Sequence, residues 1–292
     1  MRGFRFGVSL RTVGGPAEWY AKCRRAEELG YDVIAVSDHI GPGRPAPFPA
    51  FAAAAAVTER IRFTPFVLNV PFYNPTLLAR EVRTTAALTG DRLELGVGAG
   101  HMKSEFDDAG LPWLPAGERI DVLERALGEL RRRFAEEDTP APPLLIAGNS
   151  DGVLALAARH AAIAGFSGLR QAPGHPPGTF HLATAAELDE RVAFFREQAG
   201  ERAAEIESNL LIQHVARTGD PRAELDRWAA EIPHLDLGAD ELLDAPQVLA
   251  GDPARMADLL RERRERYGFS YLTVFEPAMA DLAPVIRELD GE

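Results

Sequence analysis

FRFGVSLRTVGGPAEWYAKCRRAEELGYDVIAVSDHI, residues 4–40, contains a complete strand, helix and strand unit. Phe4 to Leu10 is a short β-like run, and Tyr31 to Ser37 is a second one rich in β-branched residues. Between them, Pro16 to Gly30 has helical periodicity, with proline in its first turn and glycine at its end. Two strands joined through a helix pair in parallel, because only a crossover of that length returns the chain to the same edge.

The alternation continues outward from this unit without forming blocks. Helices are predicted at Phe48 to Arg60, Pro75 to Thr89, Arg119 to Phe134, Ser150 to His160, Ala185 to Ala199, Pro221 to Glu231, Pro253 to Tyr267 and Met279 to Leu289. Strands are predicted at Ile61 to Asn69, Leu93 to Gly98, Leu144 to Ala147, Ala162 to Ser167, Glu207 to Val215 and Tyr271 to Phe275. An irregular acidic insert, 232–247, and a Gly/Pro-rich loop, 168–183, interrupt the pattern. Eight β/α pairs in order predict an α/β fold, a (β/α)8 TIM barrel, with residues 1–292 as a single domain carrying loop insertions. The rival, a doubly wound open sheet, rarely runs to eight such pairs.

Composition narrows the function. The chain has 292 residues, 46% hydrophobic and 26% charged, so it is globular rather than disordered or coiled-coil. A formal charge of −12 argues against nucleic acid or an anionic membrane as partner, since both need a basic face. The single cysteine, Cys23, rules out an internal disulfide and a cysteine zinc site. The N-terminal stretch lacks the apolar run of a signal peptide, and Phe48 to Val57 is far shorter than the roughly 20 residues of a membrane span. A cytoplasmic enzyme acting on a small molecule is expected, with a homodimer as the assembly to test. Lys22 and Lys103 are the only lysines, so Schiff-base chemistry would have to use one of them.

In a barrel the active residues lie at the C-terminal strand ends. The second strand ends at Asp38 and His39, a pair able to orient an imidazole or meet a cofactor heteroatom. Metal is not expected, because the first strand ends Val8-Ser9-Leu10, without the His-x-His of barrel hydrolases. Asn69 leaves the third strand, with Pro71 and Pro75 fixing the exit. Gly96, Gly98 and Gly100 alternate along the fourth strand, so something flat or bulky can approach the backbone, and His101 follows. Gly148, Asn149 and Ser150 join the fifth strand to a helix, where free amides suit a phosphate or carboxylate; a plain N-cap is the alternative. His175 and His181 fall in the 168–183 loop and are expected in solvent. His214 and Glu276 sit near the ends of the last two strands, His214 with a local role. Trp113 is placed to cover a planar ligand, whereas Trp19 and Trp228 read as core.

These residues resemble the bacterial luciferase-like flavin and deazaflavin oxidoreductases. The resemblance rests on GYDVIAVSDH (30–39), TERIRFTPFVLNVPF (58–72), LTGDRLELGVGAGH (88–101), PLLIAGNS (143–150) and VLAGDPARMADLLRER (248–263), which follow the family's order along nearly the whole chain. It implies a TIM barrel with an isoalloxazine-type ring at the mouth. SDH, NVPF and GAGHM are most similar to the branch using the 8-hydroxy-5-deazaflavin coenzyme F420; flavin mononucleotide (FMN) is the alternative cofactor. The resemblance places Asp38 and His39 beside the ring, with Asn69-Val70 as the bulge, often a non-proline cis peptide, behind it. Gly98, Gly100 and His101 would line its edge, and Gly148, Asn149 and Ser150 would hold the phosphate of its tail. Tyr73 stands where related chains often carry a basic residue, and lysines used by sugar-phosphate-oxidising members are missing, so sugar phosphate is not the expected substrate. A deazaflavin passes a hydride, which leaves the protein to position the ring and manage a proton. His39 is the expected proton donor or acceptor, with Glu276 second. An FMN monooxygenase and a non-catalytic flavin-binding protein of the same fold are the rival readings.

Overall fold

The computed structural model describes residues 2–172, 174–175, 178–232 and 235–292. Its sheet is the predicted parallel barrel. The first strand, Arg5–Ser9, lies between the second, Val33–Val36, and the eighth, Phe269–Phe275. The seventh, Glu207–Leu211, the sixth, Ile163–Phe166, the fifth, Leu144–Ala147, and the fourth, Leu95–Gly98, continue the ring. The third strand comes in two pieces with different partners. Arg62–Pro65 pairs with the second strand, and Leu68–Asn69 pairs with the fourth. A parallel bridge from Phe63 to Leu93 closes the ring between them.

Helices cover the outside. Trp19, Cys23 and Ala26 form the buried face of helix Pro16–Glu28, and the Trp19 indole N–H donates to the carbonyl of Ala50, 3.1 Å away. The buried indole thus keeps a polar partner while its body packs, as a core tryptophan requires. At the opposite end from the mouth, the Arg5 guanidinium bridges Glu94 and Glu207, each at 2.5 Å, and lies over the Tyr271 ring. Charges at the strand starts are thereby paired.

Two predicted boundaries are corrected. The seventh strand was expected to reach Val215 but stops at Leu211. His214–Arg217 leaves the barrel and pairs in parallel with Val248–Gly251, a strand the sequence pattern did not mark. The insert 232–247 is not wholly irregular either, since Ala239–Asp244 is a helix whose Glu241 carboxylate accepts the Gly238 N–H at 3.0 Å. Leu242 anchors it in a small satellite core with Leu225 and Val248. In the 168–183 loop, Leu169–Gln171 and Phe180–Leu182 form an antiparallel hairpin. Residues 173, 176, 177, 233 and 234 of these two segments lie outside the described residues. Among the described residues no helix is long and apolar enough to cross a membrane.

Candidate active site

His39 stands just beyond the second strand, at the mouth where the sequence predicts it, but its carboxylate partner is not Asp38. The His39 Nδ1 lies 2.8 Å from Glu105 Oε1, and the same oxygen accepts the Ile40 N–H at 3.2 Å. Glu105 is buried on the short helix Lys103–Asp108 that follows the fourth strand. A carboxylate on Nδ1 fixes the ring and its tautomer, leaving Nε2 to accept a proton. No bond to Nε2 occurs among the described residues, and the imidazole is part-exposed. Sequence reasoning missed Glu105; the available signal was a carboxylate four residues after His101 in GHMKSE.

Asp38 instead turns to the third strand. Its Oδ2 accepts the Asn69 N–H at 3.0 Å and its Oδ1 accepts the Tyr73 hydroxyl at 2.9 Å. Burial pushes its carboxyl up from the ordinary 3.8 to about 6, against the pull of those two donors. Asp38 therefore ties the strand exit to the mouth, and Tyr73, where a basic residue was looked for, is its partner.

The interruption of the third strand also lies elsewhere than expected. The non-proline cis peptide is Phe66-Val67, not Asn69-Val70. Asn69 closes the second piece of the strand and Val70 opens a short 3-10 turn, Val70–Phe72. The glycines of the fourth strand make room for this segment and not, in the first instance, for a ligand. A Cβ at Gly96 would stand 1.9 Å from the Pro65 carbonyl oxygen, and one at Gly98 2.8 Å from Val67 Cγ2. At Gly100, where φ is +76°, it would meet the Asn69 amide oxygen at 2.3 Å.

The rest of the mouth is aromatic. The His39 and His101 rings meet edge to face at 5.6 Å, and Phe180 of the hairpin packs on His101 at 5.4 Å. Trp113 is already covered, by Phe106 at 5.0 Å and by the Arg119 guanidinium 3.7 Å from its ring centre. Trp228 is half-buried and stacks on His214 at 4.1 Å, so the contact His214 makes is an aromatic stack, with no ion pair among the described residues. His181 is not in solvent: it is mostly buried, with Nδ1 3.1 Å from Asp236. His175 is exposed.

At the fifth strand, helix Asp151–His160 opens at the mouth with Ser150 as N-cap, and the Ser150 side chain makes no capping bond. The Asn149 amide is engaged, donating to Ser167 Oγ at 2.8 Å and to the Leu169 carbonyl. The Gly148 N–H is already given to the Gly165 carbonyl at 3.1 Å, and a Cβ at Gly148 would meet the Val153 side chain at 2.9 Å. The first-turn amides of the helix and the Ser150 hydroxyl thus remain, while Asn149 braces the sixth strand. Glu276, at the end of the eighth strand, is bound to Lys22 at 2.9 Å and accepts the Arg11 N–H at 3.1 Å. Among the described residues no three His, Cys, Asp or Glu side chains gather as a metal site would require.

The model of the luciferase-like monooxygenase family matches residues 4–271. An F420-dependent glucose-6-phosphate dehydrogenase of Intrasporangium calvum is 38% identical over 132 residues, 42% of this chain and 40% of that protein. The corresponding enzyme of Beutenbergia cavernae is 35% identical over 129 residues, 42% of this chain and 38% of that protein. The chain thus spans about two fifths of the length of these curated relatives. Among solved structures, an F420-dependent secondary alcohol dehydrogenase in complex with an F420-acetone adduct superposes with a TM-score of 0.76 at 17% identity, over 99% of this chain and 98% of that one. A long-chain alkane monooxygenase gives 0.74 at 15% identity, over 99% and 91%. At such identities the superpositions speak to the fold alone; the family match covers nearly the entire chain, which belongs to the luciferase-like monooxygenase family.

Proposed function

We propose that the protein is an F420-dependent oxidoreductase that moves a hydride between the deazaflavin and a small organic substrate. The observation that carries the reading is His39, clamped through Nδ1 by Glu105 with Nε2 open at the barrel mouth. The relatives described as F420-dependent dehydrogenases support the choice of cofactor.

The residues present fit such a group. The Asn69 Oδ1 is buried without a hydrogen-bond partner, a cost that a ligand donor would relieve. Across the mouth, the start of helix Asp151–His160 offers amides and the Ser150 hydroxyl to an anion. Asn69, with the backbone of Gly98, Gly100 and Val70, would hold the ring beside Asp38, His39 and His101, and Gly148 to Ser150 would hold its phosphate. When bound, the deazaflavin supplies the carbon that accepts or returns the hydride.

The protein's own work is proton management and positioning. In the oxidative direction His39 Nε2 takes the proton of a substrate hydroxyl, and Glu105 stabilises the resulting imidazolium from 2.8 Å. In the reductive direction the same proton is returned. Glu276 is left a supporting role, because its carboxylate is already bound by Lys22 and the Arg11 N–H. The reading includes a cytoplasmic, homodimeric enzyme; Leu77 and Leu88 on helix Pro75–Leu88 supply exposed apolar surface for a second subunit, and sedimentation at a monomer's mass would remove the dimer.

Parallel titrations of the purified protein with F420 and with FMN test the cofactor. F420 is expected to bind as a dissociable ligand. Tight FMN binding with no measurable F420 affinity would favour the monooxygenase reading instead.

A further inference from the structure

An open cavity of about 660 Å³ at the barrel mouth is lined by Arg11, Thr12, Pro42, Arg44, Glu276, Pro277 and Met279. Its walls come from the ends of the first, second and eighth strands, which are neighbours in the ring. Its size suits a small molecule.

The charges in it are unequal. Glu276 shares the Lys22 ammonium, 2.9 Å away, with Glu18 at 2.7 Å. Arg11 has its guanidinium 5.5 Å from the Phe275 ring centre, and neither it nor Arg44 has a carboxylate within ion-pair distance among the described residues. Three cations, Lys22, Arg11 and Arg44, thus stand against two carboxylates, Glu18 and Glu276, so this corner keeps a net positive charge in a chain with 44 acidic and 32 basic side chains. The helix start at Ser150 lies at the fifth strand, across the ring from the first. The cofactor's phosphate and this cavity therefore do not compete for the same place.

From this we infer that Arg11 and Arg44 form a substrate subsite for an anionic substituent, a carboxylate or a phosphate. Guanidinium groups recognise both through paired N–H donors. The inference rests on the proposed oxidoreductase activity, to which it adds the substrate class: a small hydroxy compound, or its oxidised counterpart, bearing a negative group. Glu276 then acts as a positioning residue, since its bond to the Arg11 N–H and its pairing with Lys22 fix the cavity edge.

The test is calorimetric titration of F420-saturated protein with malonate and, separately, with inorganic phosphate at constant ionic strength. Wild type, Arg11→Gln, Arg44→Gln and the double variant are compared. At least one anion is expected to bind wild type and to bind the double variant at least tenfold more weakly, with F420 affinity unchanged within twofold. Which of the two anions binds identifies the substituent. Absence of binding by both, equal binding to wild type and double variant, or a parallel fall in F420 affinity overturns the subsite. Titration of the same preparations without cofactor separates this outcome from a failure of F420 itself to bind. Melting curves of each variant establish that a lost signal does not come from unfolding.

Discussion

His39 and Glu105, sixty-six positions apart in the chain, meet with Nδ1 and Oε1 at 2.8 Å, so the imidazole at the end of one strand is steered by a helix that follows another. A positioned general acid or base typically contributes ~10² to 10⁴-fold to rate. His39→Ala should lower turnover with F420 by about that factor while cofactor affinity stays within a few-fold. A folded, cofactor-bound variant with full turnover would remove His39 from the chemistry.

Glu105→Gln keeps an acceptor for the imidazole but removes the charge that stabilises its protonated form. A loss of turnover of roughly 10- to 100-fold is expected, smaller than for His39→Ala. Unchanged turnover in a folded variant would reduce Glu105 to packing.

Asp38 predicts a pH-dependent stability whose sign follows from its raised carboxyl. In the unfolded chain it takes the ordinary value of 3.8, and in the folded protein it is raised to about 6. Between those values the folded state holds a proton that the unfolded chain has released, so its stabilising contribution is complete below pH ~4 and is lost as pH rises through about 6. The melting temperature of wild type relative to Asp38→Asn should therefore fall across that window and be flat above it. A difference that grows with pH would contradict the assignment.

Ser150→Asp should separate two roles of the same helix start. Aspartate is a good N-cap, so the helix and the melting temperature should hold or improve. The added charge should repel the cofactor phosphate and weaken F420 binding at least tenfold, about 1.4 kcal/mol. Unchanged affinity would take residues 148–150 out of the cofactor site.

Gly96→Ala places a Cβ 1.9 Å from the Pro65 carbonyl oxygen, and no flexible side chain is there to move aside. The variant should fail to fold or melt well below wild type by circular dichroism. Wild-type stability would mean that the contact between the third and fourth strands is looser than it stands.

The barrel was legible because its evidence is local. Period-two runs, helical periodicity, and proline and glycine punctuation each act within one turn or one strand, and fragments such as Leu144–Ala147, Ala185–Ala199 and Pro253–Tyr267 end where the sequence reading put them. Strand ends followed, and with them His39, Asn69 and Ser150 at the mouth. What each side chain meets there was decided by tertiary structure alone. Asp38 adjoins His39 in sequence, yet its carboxylate went to Asn69 and Tyr73 while Glu105, brought in from the helix after the fourth strand, took the imidazole. The alternating glycines announced a close approach without saying whether strand or ligand makes it, because a missing Cβ records only space. The convergence of Arg11, Arg44 and Glu276 on one cavity depends on ring closure, which makes neighbours of the first and last strands.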